Sequence, residues 1–228
     1  MRFDAVAFDL DGTLYPDSSL YRLALPAVLG KKRAFLAFSS ARDKMRELGS
    51  GEGRRPDLPK DGTEFRARQA DFVAASLGMA DSGEAASLIE RYFYRGIEEL
   101  FARIKPFEGL KEALEALSRG GLRLALLSDL PPERKLELLG LSERFEAALC
   151  SEDSGTLKPA RAPFAMLASR LGLAPARILY VGNSPRIDLR GAKAAGMSAA
   201  IVSRRRVRGA DLSFFDWKEL VEYAFAQA

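Results

Sequence analysis

Apolar positions along the chain follow two patterns. At the start and again beyond residue 106, short strand-like apolar runs end abruptly in polar residues or glycine: Phe3–Phe8, Leu122–Leu127, Ala147–Cys150, Ile178–Val181 and Ala199–Val202. Stretches of helical spacing lie between the later runs. Leu110–Leu117 is stopped by Gly120 and Gly121. Glu133–Leu139 is opened by Pro131 and Pro132 and stopped by Gly140. Pro163–Leu171 and Ile187–Ala195 are stopped by Gly172 and Gly196. Strands alternating with helices predict an α/β fold, a doubly wound parallel sheet covered on both faces.

The segment from about Tyr15 to Lys105 breaks the alternation and shows no strand pattern. Thr63 is a candidate cap for a helix with Phe65, Phe72, Val73 and Leu77 on one stripe. Asp81 and Glu84 resemble a capping pair opening another, with Leu88, Ile89, Tyr92, Phe93, Leu100 and Phe101 at helical spacing. Gly49–Gly62, rich in glycine, proline and charge, reads as a loop. The organisation expected is an α/β core of residues 1–14 and 106–228 with a helical unit, 15–105, inserted after the first strand. The aromatic stripes are read as the packing of that unit.

Composition narrows the chemistry. With no histidine, every mechanism built on an imidazole base, nucleophile or zinc ligand is excluded, leaving carboxylates, lysine, hydroxyls or a hard metal. The single cysteine forbids an intrachain disulfide, which suits a reducing, cytoplasmic setting. The start MRFDAVAFDLDG carries Asp4 and Asp9 where a secretory leader would be apolar, and no stretch is long and apolar enough to span a bilayer, so neither export nor membrane insertion is expected. The net charge of +4 is a small excess and suits an anionic small substrate as well as a polynucleotide.

The sharpest motif is Asp9-Leu10-Asp11-Gly12-Thr13-Leu14, directly after the first strand. In open α/β sheets ligands bind at the carboxyl ends of the strands. Asp9 and Asp11 are two residues apart and, in extended chain, point the same way. Adjacent carboxylates repel unless a cation or a shared proton relieves them, and Mg²⁺ is the hard, oxygen-seeking partner that fits. Gly12 allows a sharp turn beside the site. Ser128 ends the second run, Lys158 sits in Thr156-Leu157-Lys158-Pro159, and Gly182-Asn183-Ser184-Pro185-Arg186-Ile187-Asp188 follows the fourth. One cleft could collect all of them.

On these motifs the chain resembles the haloacid dehalogenase (HAD) superfamily of aspartate-nucleophile phosphatases, with a helical cap inserted after the first motif. The resemblance implies a Rossmann-like core and a Mg²⁺-dependent phosphate monoester hydrolase. Asp9 would attack phosphorus to form an aspartyl-phosphate. Asp11 would serve as general acid and then base. Ser128 and Lys158 would bind the phosphoryl group, with substrate contacts at Gly12, Thr13 and Asp129. Asp9, Asp11, Asn183 and Asp188 would form the metal site. A small phosphorylated metabolite is the implied substrate, with no nucleic acid or membrane partner and a monomeric or homodimeric state. A phosphomutase on the same scaffold, or an impaired binding or regulatory protein, is the alternative. Asp11 argues against dehalogenation, because a halide leaving group needs no proton.

Two positions depart from the family pattern. Asn183 stands where most relatives carry aspartate, and an amide brings no charge to a metal, so weaker Mg²⁺ binding than in Asn183→Asp is expected. Asp129 stands where asparagine is common, and must turn away from a phosphate or pair with a base such as Arg134. Glu152–Asp153 reads as a solvated loop, and Arg204–Arg208 as a solvated edge loop. Tyr15, Tyr21, Arg22 and the Gly49–Gly62 loop are the candidates for substrate selection by the inserted unit.

Overall fold

The computed structural model describes residues 2–49, 57–96, 101 and 103–226. Six parallel strands form one sheet in the order β3-β2-β1-β4-β5-β6. They are β1 (Ala5–Phe8), β2 (Arg123–Ser128), β3 (Ala147–Cys150), β4 (Ile178–Gly182), β5 (Ser198–Val202) and β6 (Leu212–Phe214). β1 lies centrally, with Phe8 in register with Leu126 on one side and Val181 on the other. The first five strands lie where the apolar runs place them. β6 is an addition: three residues carry no legible pattern, and its pairing with β5 makes it a strand.

The sheet has two apolar faces because side chains alternate along every strand. Val6, Phe8, Leu124, Leu126, Leu179 and Val181 point to one face. They meet Leu110, Leu114 and Leu117 of the helix Leu110–Arg119, and Trp217 and Leu220 of Trp217–Phe225. Ala5, Ala7, Ala125, Leu127, Ile178 and Tyr180 point to the other, against Phe164, Leu167 and Leu171 of the helix Arg161–Leu171. The alanines of β1 leave room there for Phe164 and Tyr180, whose rings meet edge to face at 5.0 Å.

Between β1 and the helix Leu110–Arg119 the chain forms the expected helical insertion. It contains α1 (Asp17–Gly30), α2 (Lys32–Gly49), α3 (Gly62–Leu77) and α4 (Ser82–Ile89), which runs on into a π-helical turn, Glu90–Tyr94. Phe38, Ala41, Val73, Ala74, Ile89 and Phe93 make its small core, with Phe38 and Phe93 stacked at 4.0 Å. Leu100 and residues 50–56 of the Gly49–Gly62 loop lie outside the described residues. The α3 cap is Asp61, not Thr63: the Asp61 carboxylate accepts the Glu64 N–H at 2.9 Å, and Thr63 lies inside the first turn. Gly62 permits the earlier start, since a Cβ there would stand 2.8 Å from an Asp153 carboxylate oxygen. Asp81 caps α4 as expected.

Glu152 corrects the expectation of a solvated loop. It is fully buried. Arg42 donates to it at 2.6 Å, Arg66 at 3.1 Å and the Tyr94 hydroxyl at 2.9 Å, all from the insertion. Arginines reaching across from another element gave no local signal. Arg204, Arg205, Arg206 and Arg208 are exposed, as expected, with Arg204 over the Phe215 ring. Among the described residues, no helix is long and apolar enough to cross a membrane.

Candidate active site

The carboxyl ends of β1, β2 and β4 carry the expected groups into one place. Asp9 follows β1 and is nearly buried. The Lys158 ammonium donates to Asp9 Oδ1 at 2.6 Å, to Asp188 Oδ1 at 2.8 Å and to the Tyr180 hydroxyl at 3.0 Å. Burial works against the charge on Lys158, but Asp188 and Asp9 hold it protonated well above the usual lysine range. Burial pushes the Asp9 carboxyl up to about 7, against the pull of Lys158 and with Asp188 and Asp11 adding to the rise. The Thr13 hydroxyl donates to Asp9 Oδ2 at 2.8 Å. Both oxygens of the carboxylate are therefore fixed.

Asp188 is held from behind. Its Oδ2 accepts the backbone N–H groups of Asn183 at 3.2 Å and Ser184 at 3.0 Å. The helix expected over Ile187–Ala195 begins as a π-helical turn, Pro185–Leu189, and this turn carries Asp188 back under β4. Ser128 is buried at the end of β2, the strand beside β1, and its hydroxyl accepts the Leu130 N–H at 3.2 Å.

Asp11 lies nearby with partners of its own. The Lys135 ammonium reaches both its oxygens, at 2.9 and 2.7 Å, and the Tyr15 hydroxyl donates at 2.5 Å. Burial, then the Asp11 charge, keeps the Tyr15 phenol well above its ordinary range, so it stays a donor. Tyr15 is packed in the main core against Phe101, whereas Tyr21 is 67% exposed and Arg22 is exposed. The base that pairs with Asp129 is Arg46 of α2, at 3.0 Å; Arg134 is ion-paired with Glu137. Burial alone would raise the Asp129 carboxyl, but Lys158, Arg46 and Arg42 together hold it below its usual value. Arg42 also donates to the Asp129 carbonyl at 2.5 Å.

Several of these groups were not singled out from sequence. Tyr180 had a faint signal, as a hydroxyl inside a buried strand. Lys135 precedes Leu139 by one helical turn, on the same face. Asp17, Arg42 and Arg46 belong to the insertion and carried no local signal. Asp17 opens α1 and accepts the Asn183 amide at 3.1 Å.

The donor set suits a hard divalent ion. Asp9, Asp11, Asp17 and Asp188 bring four negative charges against the two positive charges of Lys135 and Lys158, so a dication balances the group. Among the described residues, no three acidic or cysteine side chains form a metal-holding group by themselves. Asn183, which contacts Asp188 and Asp17, adds a neutral amide oxygen to the groups that would hold such an ion.

Known proteins resemble this chain in sequence and in fold. The chain is 28% identical over 209 residues to N-acetylmuramic acid 6-phosphate phosphatase of Pseudomonas aeruginosa, covering 89% of this chain and 82% of that protein. It is 31% identical over 206 residues to phosphoglycolate phosphatase of Escherichia coli, covering 84% and 77%. Two solved structures share the fold over nearly their whole length. A HAD phosphatase from Thermococcus onnurineus has a TM-score of 0.64 at 24% identity, covering 98% of each chain. L-2-haloacid dehalogenase from Xanthobacter autotrophicus has 0.67 at 20%, covering 99% of this chain and 100% of that one. Residues 3–196 match the model of haloacid dehalogenase-like hydrolases, and with these phosphatase relatives the chain belongs to that family as a HAD-type phosphatase.

Proposed function

We propose that the protein hydrolyses small phosphate monoesters with Mg²⁺ through an aspartyl-phosphate on Asp9. The observation that carries this is the Lys158 ammonium clamped between Asp9 and Asp188 at the carboxyl end of a parallel sheet. Asp9 is the nucleophile: its oxygen bonds to phosphorus as the ester oxygen departs. Asp11, held by Lys135 and Tyr15, passes a proton to that oxygen and later takes one from the attacking water. Lys158 and Ser128 hold the phosphoryl oxygens, with Gly12 and Thr13 beside them. Asp129 contributes backbone, its carboxylate being committed to Arg46. When bound by Asp9, the Asp11 carbonyl, Asn183 and Asp188, Mg²⁺ supplies positive charge that keeps Asp9 ionised and offsets its repulsion from phosphate.

The substrate class we propose is a phosphorylated metabolite with a second anionic group. A pocket of about 330 Å³ joins α2 to the loop after β4, and its charged lining sets Arg46, Arg186 and Arg190 against Asp43 and Glu47. Among the described residues, Arg186 and Arg190 make no ion pair. The two relatives reported above are named for N-acetylmuramic acid 6-phosphate and phosphoglycolate, each an acid as well as a phosphate ester. The test is phosphate release from matched pairs, each acid-bearing ester against its uncharged analogue, with and without Mg²⁺ and with Asp9→Asn as blank. Release that needs Asp9 and Mg²⁺ and favours the acids is expected. No release from any ester sinks the hydrolase, while release without preference sinks only the substrate class.

A further inference from the structure

Asn183 and Asp17 form a single unit, and the reason begins at Gly12. Its φ is +82°, in the left-handed region that favours glycine. A Cβ on it would stand 2.0 Å from the Asn183 amide nitrogen and 2.3 and 2.5 Å from the two Asp17 carboxylate oxygens. The first residue of the insertion's first helix is thereby brought against the loop after β4. The Asn183 amide donates to Asp17 at 3.1 Å. That engages the nitrogen and leaves the amide oxygen as the side-chain atom able to coordinate a cation. An acidic residue in the first turn of a helix is ordinarily accounted for by the helix dipole. Here the side chain turns back to the core. Among the described residues it forms no ion pair with a basic side chain.

We propose that Asp17 supplies to the divalent-ion site, through Asn183, the negative charge that asparagine at 183 does not bring. The inference rests on the metal-dependent activity proposed above. Asp17 acts through another residue, so it is a positioning and charge-supplying residue. It also changes the expectation for Asn183→Asp, which would set two carboxylates face to face at the present 3.1 Å contact.

The experiment is a cycle of Asp17→Asn, Asn183→Asp and the double variant, read by calorimetric titration with MgCl₂ and by thermal unfolding with and without the ion. Asp17→Asn is expected to weaken Mg²⁺ binding by about tenfold or more, the loss of one unit charge a few ångströms away. It should also raise the unfolding midpoint of the metal-free protein, because an unneutralised carboxylate has left the cluster. Asn183→Asp should tighten binding by about tenfold in the Asp17→Asn background but by under about threefold in the wild type. Additive effects, or Asp17→Asn binding Mg²⁺ as the wild type does, would overturn the inference and leave the hydrolase intact. A purely structural Asp17 would lower the metal-free midpoint, the opposite sign. Wild-type protein that binds no Mg²⁺ would sink both.

Discussion

Glu152 offers the sharpest test of how the insertion is held to the core. Its side chain is fully buried, the side chain of its partner Arg42 is 7% exposed and that of Arg66 is 47% exposed. Glu152→Gln keeps the shape and one acceptor but removes the charge. Arg42 would keep its bonds to the Gln69 side chain and the Asp129 carbonyl, but lose the only carboxylate it directly bonds among the described residues. Breaking one side of a buried ion pair costs about 3–5 kcal/mol. The surviving hydrogen bonds, and the solvent open to Arg66, place this case toward the lower end. For a chain of this size each kcal/mol moves the unfolding midpoint by about 2–4 °C, so a fall of roughly 6–12 °C is expected. Thermal unfolding followed by circular dichroism at 222 nm measures it, because the insertion is helical. Loosened Arg42 should also release the Asp129 backbone, lowering kcat/KM. A midpoint within about 2 °C of wild type would refute the view that this carboxylate clasps the two units together.

Asp11→Asn removes the proposed proton donor, and turnover of alkyl phosphates should fall by about a hundredfold or more. p-Nitrophenyl phosphate should fall much less, since its leaving group needs no proton; equal losses on both would argue against Asp11 as proton donor. The Asp129 carboxyl is held below its unfolded value, so it contributes stability that is present above the unfolded pKa and lost as pH falls through the folded one. Arg46→Ala should therefore narrow the stability gain between about pH 2 and 5 in denaturant titrations, and an unchanged acid limb would count against the pairing. Burial pushes the Cys150 thiol well above its ordinary range. It should resist a thiol reagent in the native protein and react on unfolding, and rapid native labelling would contradict its burial.

The legible part of the molecule was the local part. Runs such as Ile178–Val181 become strands because parallel strands buried on both faces are continuously apolar and this run is too short for a helix. Asp9 and Asp11 follow β1 by chain connectivity alone, so their place at the strand end was fixed by the chain itself. Glycine and proline marked the helix ends for the same reason, though competing cap residues let α3 start at Asp61 instead of Thr63.

Tertiary structure decided which distant charges meet. Lys135 on Asp11, Arg46 on Asp129, Arg42 on Glu152 and Asp17 on Asn183 all join residues far apart in the chain. A charged residue on its own looks the same whether solvated or paired, because nothing in its immediate neighbours records what the fold brings opposite. Burial then changes its meaning: a carboxylate that costs nothing in water demands a partner once water is excluded. Sequence alone thus determined the scaffold and the motif at its strand ends, and packing determined the network of charges that gives those residues their chemistry.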